Sequence, residues 1–305
     1  MNLFLISKRV VLFALVNVLV MGTLTLLFRL TGLDAKFPPG SYQSLMIFCL
    51  VWGMGGAFIS LALSRIMAKW MMRVRVIPPN TNDPVLRDLV QTVHELARRA
   101  NLPKMPEVGL YESAEINAFA TGPTRARSLV AVSTGLLQRM NRREVEGVLA
   151  HEVAHIANGD MVTMTLVQGV INAFVMFLAR ILAMVVASAL RGGRDDRGGY
   201  WLQFMLVQVF QIVLSLFGAI VVCWFSRFRE FRADAGGAAL SSRSNMTDAL
   251  RALQRVYEQH RHPEIETGGQ AFQSLKISGK ASGFARLFST HPPLEERIAR
   301  LQSGA

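Results

Sequence analysis

The sequence predicts a mainly α-helical membrane protein, with about four hydrophobic helices and a polar α+β domain that contains a small β-sheet. Hydrophobic residues make up 51% of the 305 residues and the mean hydropathy is +0.31, and both values are high for a soluble protein. Apolar windows of about 20 residues, the length that crosses a hydrocarbon core, occur at four places. They are 10–28, 41–64, 161–189, interrupted only by Arg180, and 201–226.

Polar segments alternate with these windows and divide the chain into four parts. A lipid-facing arginine is costly, so Arg180 leaves open whether the second pair of windows crosses the bilayer completely. Either arrangement returns the chain to the side that it left. We predict an N-terminal transmembrane hairpin at 1–68, a first part of the polar domain at 69–160, a second hydrophobic hairpin at 161–226 and a second polar part at 227–305.

Basic residues concentrate at one side of the predicted membrane helices. Lys8 and Arg9 precede the first window, and Arg227, Arg229 and Arg232 follow the fourth. Loops rich in lysine and arginine stay on the cytoplasmic side. We therefore expect a multi-pass protein whose termini and polar domain face the cytoplasm.

The net charge of +12 is explained by the same juxtamembrane residues, which bind anionic lipid. No aromatic–basic repeat or nucleic-acid reading motif accompanies the charge, so we expect the lipid bilayer and no nucleic acid as a partner. Cys49 and Cys223 both lie in apolar windows, and no disulfide framework is predicted. No feature of the sequence specifies an oligomeric state.

The polar domain is predicted to begin with an amphipathic helix and a small sheet. Asp83 can cap a helix that starts at Pro84. The segments 107–111 and 128–133 have strand composition, with EINAFATGPTRAR between them, and we predict a strand pair or ribbon. Further predictions are a helix opened by a capping box of Asn141 and Glu144, a mobile loop at 260–282 and a helix at 294–302.

The helix that follows Asn141 contains AHEVAHI, in which two histidines are four residues apart. His151 and His155 therefore project from the same face and can bind a single ion. Glu152 is rotated by about 100° from His151, so its carboxylate can reach a water on the metal without occupying the metal. We expect one Zn²⁺ per chain, with Glu152 as the general base. A catalytic zinc site needs a third His, Glu or Asp ligand.

The third ligand is sought after the second hydrophobic hairpin, where SRFREFRADAGGAAL is predicted to form a basic and acidic helix of its own on the same side of the membrane. This helix contains REFRAD. Glu230 and Asp234 are four residues apart. We predict that Glu230 binds the metal and that Asp234 orients a ligating histidine through its other ring nitrogen. The reverse assignment is an alternative. Taken alone, each motif is compatible with a charged surface helix, and the combination of a capped helix with a paired acidic motif favours the metal site.

Four motifs together resemble the HtpX branch of the M48 metalloproteases, membrane zinc endopeptidases related to the CAAX prenyl proteases. They are NAFATG, LAHEVAHIANGDMV, SRFREFRADAGGAAL and FSTHPPLEERI. The resemblance implies a gluzincin-like α+β protease domain at the cytoplasmic face of a bacterial inner membrane. Such enzymes clear misfolded or damaged membrane proteins as part of quality control and the stress response. It also implies that His151, His155 and Glu230 bind zinc and that Glu152 is the base.

The resemblance implies two further site residues. His291 corresponds to a histidine near the scissile carbonyl, where it stabilises the developing oxyanion. Asn117 and the strand at 129–133 correspond to a substrate cleft in which an extended peptide adds to a strand edge. A loop histidine and a turn asparagine are the ordinary alternatives. The other histidines of the two polar parts are expected to be solvated, and they are His94, His260 and His262.

Two other functions are compatible with parts of the sequence. An intramembrane protease buries its motif inside an apolar span, whereas the charged residues Arg142, Arg143 and Glu144 lie just before this one. A site near the membrane surface fits better. A metal-binding scaffold or transporter needs polar residues along several spans, and these spans contain few.

Overall fold

The computed structural model describes residues 42–191, 199–259 and 283–303. The chain forms two compact units. One comprises the described residues up to Ser60 together with Thr165–Val222, and the other comprises Leu61–Met164 together with the described residues from Cys223 onwards. The apolar window at 10–28 and the loop predicted at 260–282 lie outside the described residues.

Three helices in the described ranges are long and apolar enough to cross a bilayer. They are α1 (Tyr42–Met71), α5 (Asp160–Arg191) and α6 (Gly199–Leu240). These helices confirm the prediction of a mainly helical membrane protein. In α6, the last apolar window and the charged REFRAD segment form one continuous helix, where the sequence had suggested a helix of its own after the window.

Small residues allow α1 and α5 to approach closely in the first unit. A Cβ atom added to Gly53 would lie 2.5 Å from the backbone nitrogen of Ala173, and one added to Gly169 would lie 2.6 Å from Sδ of Met54. Helices in lipid associate through such close van der Waals contacts, because lipid provides no hydrophobic driving force between them. The close packing of α1 against α5 is therefore of the kind found between membrane helices.

Arg180 lies on α5 within the apolar segment and is half-buried. Its Nη1 donates to the carbonyl of Met176 at 3.0 Å, and its guanidinium lies 5.7 Å from the centre of the Phe48 ring. These contacts satisfy part of the charge within the protein, as expected for an arginine that does not face lipid.

The second unit contains a four-stranded mixed sheet in the order β1-β2-β4-β3. Its strands are β1 (Arg75–Val76), β2 (Glu107–Tyr111), β3 (Ala118–Thr124) and β4 (Arg127–Ser133). β2 and β4 run parallel, and β3 pairs antiparallel with β4 at the edge of the sheet. The two predicted strands are present. β3 arises in the segment between them, where the ladder shifts register between Thr121 and Thr124 to accommodate Gly122, whose φ is 144°.

The helices of the second unit begin at the predicted caps. Asp83 accepts from the backbone N–H of Val85 at 2.9 Å, and Asn141 and Glu144 form the complete capping box. The remaining elements are α2 (Pro84–Arg99), α3 (Thr134–Arg139), α4 (Arg142–Asn158), α7 (Arg243–Gln259), a 3₁₀ helix (Gly283–Phe288) and α8 (Leu294–Ser303). Helix α4 packs against α2, α7 and β3.

Candidate metal centre

Helix α4 carries the two histidines into the core of the second unit. All ten residues from Gly147 to Ile156 are buried, so the helix is enclosed on every side there. His151 is 3% exposed and His155 is 8% exposed. Because buried polar groups need partners, the surroundings of these imidazoles reveal what the site is built to do.

Two glycines let helix α6 approach α4 at the level of the histidines. A Cβ atom on Gly237 would lie 3.1 Å from the backbone nitrogen of His151, and one on Gly236 would lie 2.9 Å from the Cβ of Ala154. Larger side chains at these positions would push the helices apart. The close approach brings the acidic residues of α6 to the imidazoles of α4.

The three predicted metal ligands lie together. His151, His155 and Glu230 each offer one ligand atom, and these atoms are all within 4.8 Å of one another. The two Nε2 atoms are 3.1 Å apart. Oε2 of Glu230 lies 3.4 Å from Nε2 of His151, and Oε1 lies 3.3 Å from Nε2 of His155. The atoms therefore face a common point.

Each histidine is oriented by a carboxylate at its other ring nitrogen. Nδ1 of His151 lies 3.0 Å from Oδ1 of Asp234, the partner predicted from the sequence. Nδ1 of His155 lies 2.6 Å from Oδ2 of Asp160, which sequence reasoning missed. Gly159, in the left-handed conformation, ends α4, and Asp160 follows directly. The sequence signal that could have identified Asp160 was the Gly-Asp pair shortly after AHEVAHI. Both contacts direct Nε2 towards the ligand side.

The surroundings of Glu230 fit a bound cation. The side chain is completely buried, and its oxygens face ring nitrogens of His151, His155 and His291 at 3.4, 3.3 and 2.8 Å, although none of these contacts has hydrogen-bond geometry. A buried carboxylate is costly to remove from water, and a divalent cation at the common point would offset that cost. Two histidines and one glutamate are a donor set that catalytic metal sites use.

Without a metal, the acidic groups favour protonation of both imidazoles. Burial lowers the pKa of His151, but the carboxylates of Asp234 and Glu230 outweigh burial and raise the pKa to about 9. Burial also lowers the pKa of His155, and Glu230 and Asp160 again outweigh it, so the pKa is raised. A metal ion must therefore compete with protons for these nitrogens.

Glu152 and His291 also belong to this part of the molecule. Glu152 follows His151 on α4 and is 6% exposed. Nδ1 of His291 lies 2.8 Å from Oε2 of Glu230. The segment before His291 is held by Arg227, whose Nη1 donates to the carbonyl of Ser289 at 2.7 Å and to two carbonyls of the 3₁₀ helix at 3.2 and 3.3 Å. The predicted catalytic residues are thus brought to the metal ligands or their helix.

Asn117 immediately precedes the edge strand β3 and is buried. Its backbone N–H donates to Oγ of Ser133 at 3.1 Å, and its carbonyl accepts from the N–H of Ser133 at 2.9 Å. Its side-chain oxygen has no donor within the described part of the chain. The residue is therefore anchored through its backbone, with the amide side chain uncommitted at that oxygen.

Arg297 is a second residue that sequence reasoning missed. Its side chain is completely buried, and it donates from Nε and Nη2 to the two oxygens of Asp234 at 2.8 and 2.6 Å. It lies between Leu294 and Leu301 on the buried face of α8. The sequence signal that could have identified Arg297 was a charged residue among the apolar positions of the last helix.

The other histidines remain apart from the centre or lie outside the described residues. His94, which was expected to be solvated, is half-buried, with Nε2 3.2 Å from the carbonyl of Pro106. His260 and His262 lie outside the described residues.

Comparison with known proteins identifies the family. Residues 86–305 match the model of peptidase family M48. A protease HtpX homolog of Bacillus velezensis is 50% identical over 305 residues, covering 97% of this chain and 99% of the relative. A protease HtpX homolog of Methylacidiphilum infernorum is 48% identical over 298 residues, covering 97% and 98%. The chain belongs to peptidase family M48.

A solved structure supports the fold. The crystal structure of Ste24p from S. mikatae superposes with a TM-score of 0.59 at 18% identity, covering 98% of this chain and 66% of that chain. With the family match and the apolar helices, the chain is a membrane metalloprotease, as the sequence resemblance implied. A scaffold without hydrolytic activity is not what the family indicates.

Proposed function

We propose that this M48 metalloprotease is a zinc endopeptidase that cleaves misfolded or damaged membrane proteins at the cytoplasmic face of a bacterial inner membrane, in quality control and the stress response. The observation that carries the catalytic part is the completely buried carboxylate of Glu230, which faces the Nε2 atoms of two histidines at 3.3 and 3.4 Å. In this proposal His151, His155 and Glu230 hold one Zn²⁺ per chain.

The proposed mechanism divides the chemistry between the ion and the side chains. When bound, zinc supplies a Lewis acid that makes water nucleophilic near neutral pH and polarises a peptide carbonyl. Glu152 accepts the proton of the attacking water and passes it to the leaving amine. His291 donates a hydrogen bond to the carbonyl oxygen as negative charge develops there. Asp234 and Asp160 keep the two ligating imidazoles in the tautomer with a free Nε2 lone pair.

Substrate binding is assigned to the edge of the sheet. β3 is an edge strand, it packs against α4, and Asn117 lies at its beginning. An extended peptide can pair with such an edge through backbone hydrogen bonds, with the Asn117 amide available for a further one. Backbone pairing depends little on side-chain identity, which suits a protease that acts on many unfolded chains.

The cytoplasmic orientation is supported by the basic residues beside the apolar helices. Arg65 and Lys69 lie near the end of α1, and Arg227, Arg229 and Arg232 follow the apolar part of α6; lysine and arginine beside membrane helices concentrate on the cytoplasmic side. A Glu258→Cys variant tests the orientation, because Glu258 is exposed on α7 whereas Cys49 and Cys223 are buried. A membrane-impermeant maleimide is expected to label it in inverted vesicles and not in intact spheroplasts. Labelling in spheroplasts would reverse the orientation.

The catalytic proposal is tested by measuring zinc content and casein cleavage together on the full-length protein in detergent. We expect the wild type to bind one zinc, and Glu152→Gln to keep it while losing at least about 100-fold in cleavage rate. Glu146→Gln, on the same helix but outside the metal cluster, is the matched control and should cleave as the wild type does. A Glu152→Gln variant with the wild-type rate would refute the assignment of the base.

The substrate part is tested with one membrane protein in two states. A folded form and a destabilised variant are reconstituted with the protease, and fragments are mapped. We expect cleavage of the destabilised form at sites outside its membrane spans. Equal cleavage of both forms would contradict selection for unfolded chains, and cuts in the middle of spans would favour an intramembrane protease.

A further inference from the structure

A buried chain of three side chains links helix α8 to the metal centre. We propose that Arg297 is a positioning residue: it fixes the carboxylate of Asp234, which in turn fixes the imidazole of His151, so that the docking of α8 sets the metal affinity of the site. The inference rests on the proposed zinc site. It adds a residue that affects the metal affinity from a different helix than any of the proposed ligands.

The geometry of the chain restricts each member. Nε and Nη2 of Arg297 donate to Oδ2 and Oδ1 of Asp234 at 2.8 and 2.6 Å, and this fork fixes both the plane and the rotation of the carboxylate. Oδ1 then lies 3.0 Å from Nδ1 of His151. A proton on Nδ1 directed at Oδ1 would leave the lone pair of Nε2 free for the metal. Nη2 of Arg297 also lies 3.5 Å from Nδ1 of His151 and 3.8 Å from Oε2 of Glu230, and these longer direct contacts are the alternative route that a double-mutant cycle with Asp234 separates.

Stability alone does not explain an arginine at this position. Its neighbours on the buried face of α8 are Leu294 and Leu301, and both belong to the apolar core. Apolar residues in place of both Arg297 and Asp234 would fill the same space without the cost of removing two charges from water, and buried ion pairs are weak stabilisers compared with well-packed apolar groups. Nη1 of Arg297 has no partner among the described residues. What the fork provides, and an apolar side chain cannot, is a fixed direction for Asp234.

The other histidine lacks such an anchor. The arginines beside Asp160, which orients His155, are Arg229 at 3.9 Å and Arg232 at 3.7 Å, and the Arg232 side chain is 58% exposed. These contacts are long and partly solvated, so they restrict the Asp160 carboxylate much less. The contrast indicates that the carboxylate partner of His151 is held firmly by an arginine from another helix, whereas the carboxylate partner of His155 is held only weakly.

The zinc affinity of the full-length protein in detergent tests the inference. Competition with a chromophoric chelator gives the dissociation constant, and thermal unfolding of the metal-free protein reports whether each variant is folded. We expect Arg297→Met to raise the zinc dissociation constant by about 10- to 100-fold. Arg297→Lys keeps the charge but loses the fork, so its effect should be smaller but measurable.

Arg300 provides the matched control on the same helix. Its guanidinium lies 3.9 Å from the centre of the Phe231 ring, so it also holds α8 against α6, but it does not contact Asp234. Arg300→Met should leave the zinc dissociation constant within about twofold of the wild type. If Arg300→Met weakened zinc binding as much as Arg297→Met, general loosening of α8 would account for both, and the inference would be overturned.

A double-mutant cycle tests whether Arg297 acts through Asp234. In an Asp234→Asn background, adding Arg297→Met should change the zinc affinity by no more than about twofold, because the link is already broken. An equal loss with and without Asp234, or a folded Arg297→Met and Arg297→Lys pair with wild-type affinity, would overturn the inference. If Arg297→Met does not fold, Arg297→Lys decides. A wild type that binds no zinc would instead overturn the proposed function.

Discussion

Zinc binding to the metal centre is expected to displace a proton from His151 throughout the neutral pH range. Without metal, burial lowers the pKa of His151, but Asp234 and Glu230 outweigh burial and raise it from 6.5 to about 9. The proton is therefore held below about pH 9 and must leave when Nε2 binds the metal. Affinity should rise with pH up to about 9 and level off above it.

The size of the effect follows from that pKa. At pH 7.5 the solution is about 1.5 units below the pKa of about 9, so protonation weakens the apparent zinc affinity about 30-fold, or ~2 kcal/mol, relative to the plateau. His155 adds to this because its pKa is also raised. An imidazole with the usual pKa of 6.5 would already be on the plateau at pH 7.5.

Two measurements check this prediction. Zinc affinity is measured by chelator competition between pH 6.5 and 9.5, and proton release is measured calorimetrically in buffers of different ionisation enthalpy. Glu152→Gln keeps both ligating histidines and should show the same slope. An affinity that is constant between pH 7 and 8.5, with no proton released at pH 7.5, would refute the reasoning about the acidic surroundings.

Three further predictions concern single substitutions. Glu230→Gln removes the charge between the two imidazoles and should lower zinc affinity by more than about 100-fold, beyond the usual effect of outer contacts; full zinc content by metal analysis would disprove its role as ligand. Asp160→Asn should weaken zinc binding by about 10- to 100-fold in chelator competition because His155 loses its orienting partner, and an unchanged dissociation constant would contradict that role. Leu149→Ala, at a fully buried position of α4, should cost ~2–5 kcal/mol of stability and lower the thermal unfolding midpoint, and an unchanged midpoint would contradict the placement of this side chain in the core.

The parts of the site that depend on local spacing could be predicted from the sequence. His151 and His155 are four residues apart on a helix whose start is encoded by Asn141 and Glu144, so one helical turn determines their common direction. The relation between Glu230 and Asp234 follows from the same spacing. Helix geometry converts these intervals directly into shared faces, and this explains why the members of each pair could be placed side by side.

The parts that depend on tertiary contacts could not be predicted. Arg297 reaches Asp234 only because α8 packs onto α6, and no periodicity reports that contact. β3 was missed because Gly122 and Pro123 disfavour a strand, and a register shift in the ladder accommodates them. The unbroken course of α6 was missed because hydropathy reports where the surroundings change from lipid to water, and a helix need not end there.

The order of the ligands along the chain has a consequence for synthesis of the enzyme. A ribosome delivers α4, with its two histidines, before the hydrophobic helices α5 and α6, and Glu230 comes only near the end of α6. Arg297 is made later still. A nascent chain therefore lacks the full set of proposed metal ligands until its membrane helices have been synthesised, so under the proposed function it cannot cleave neighbouring proteins while it is still being translated.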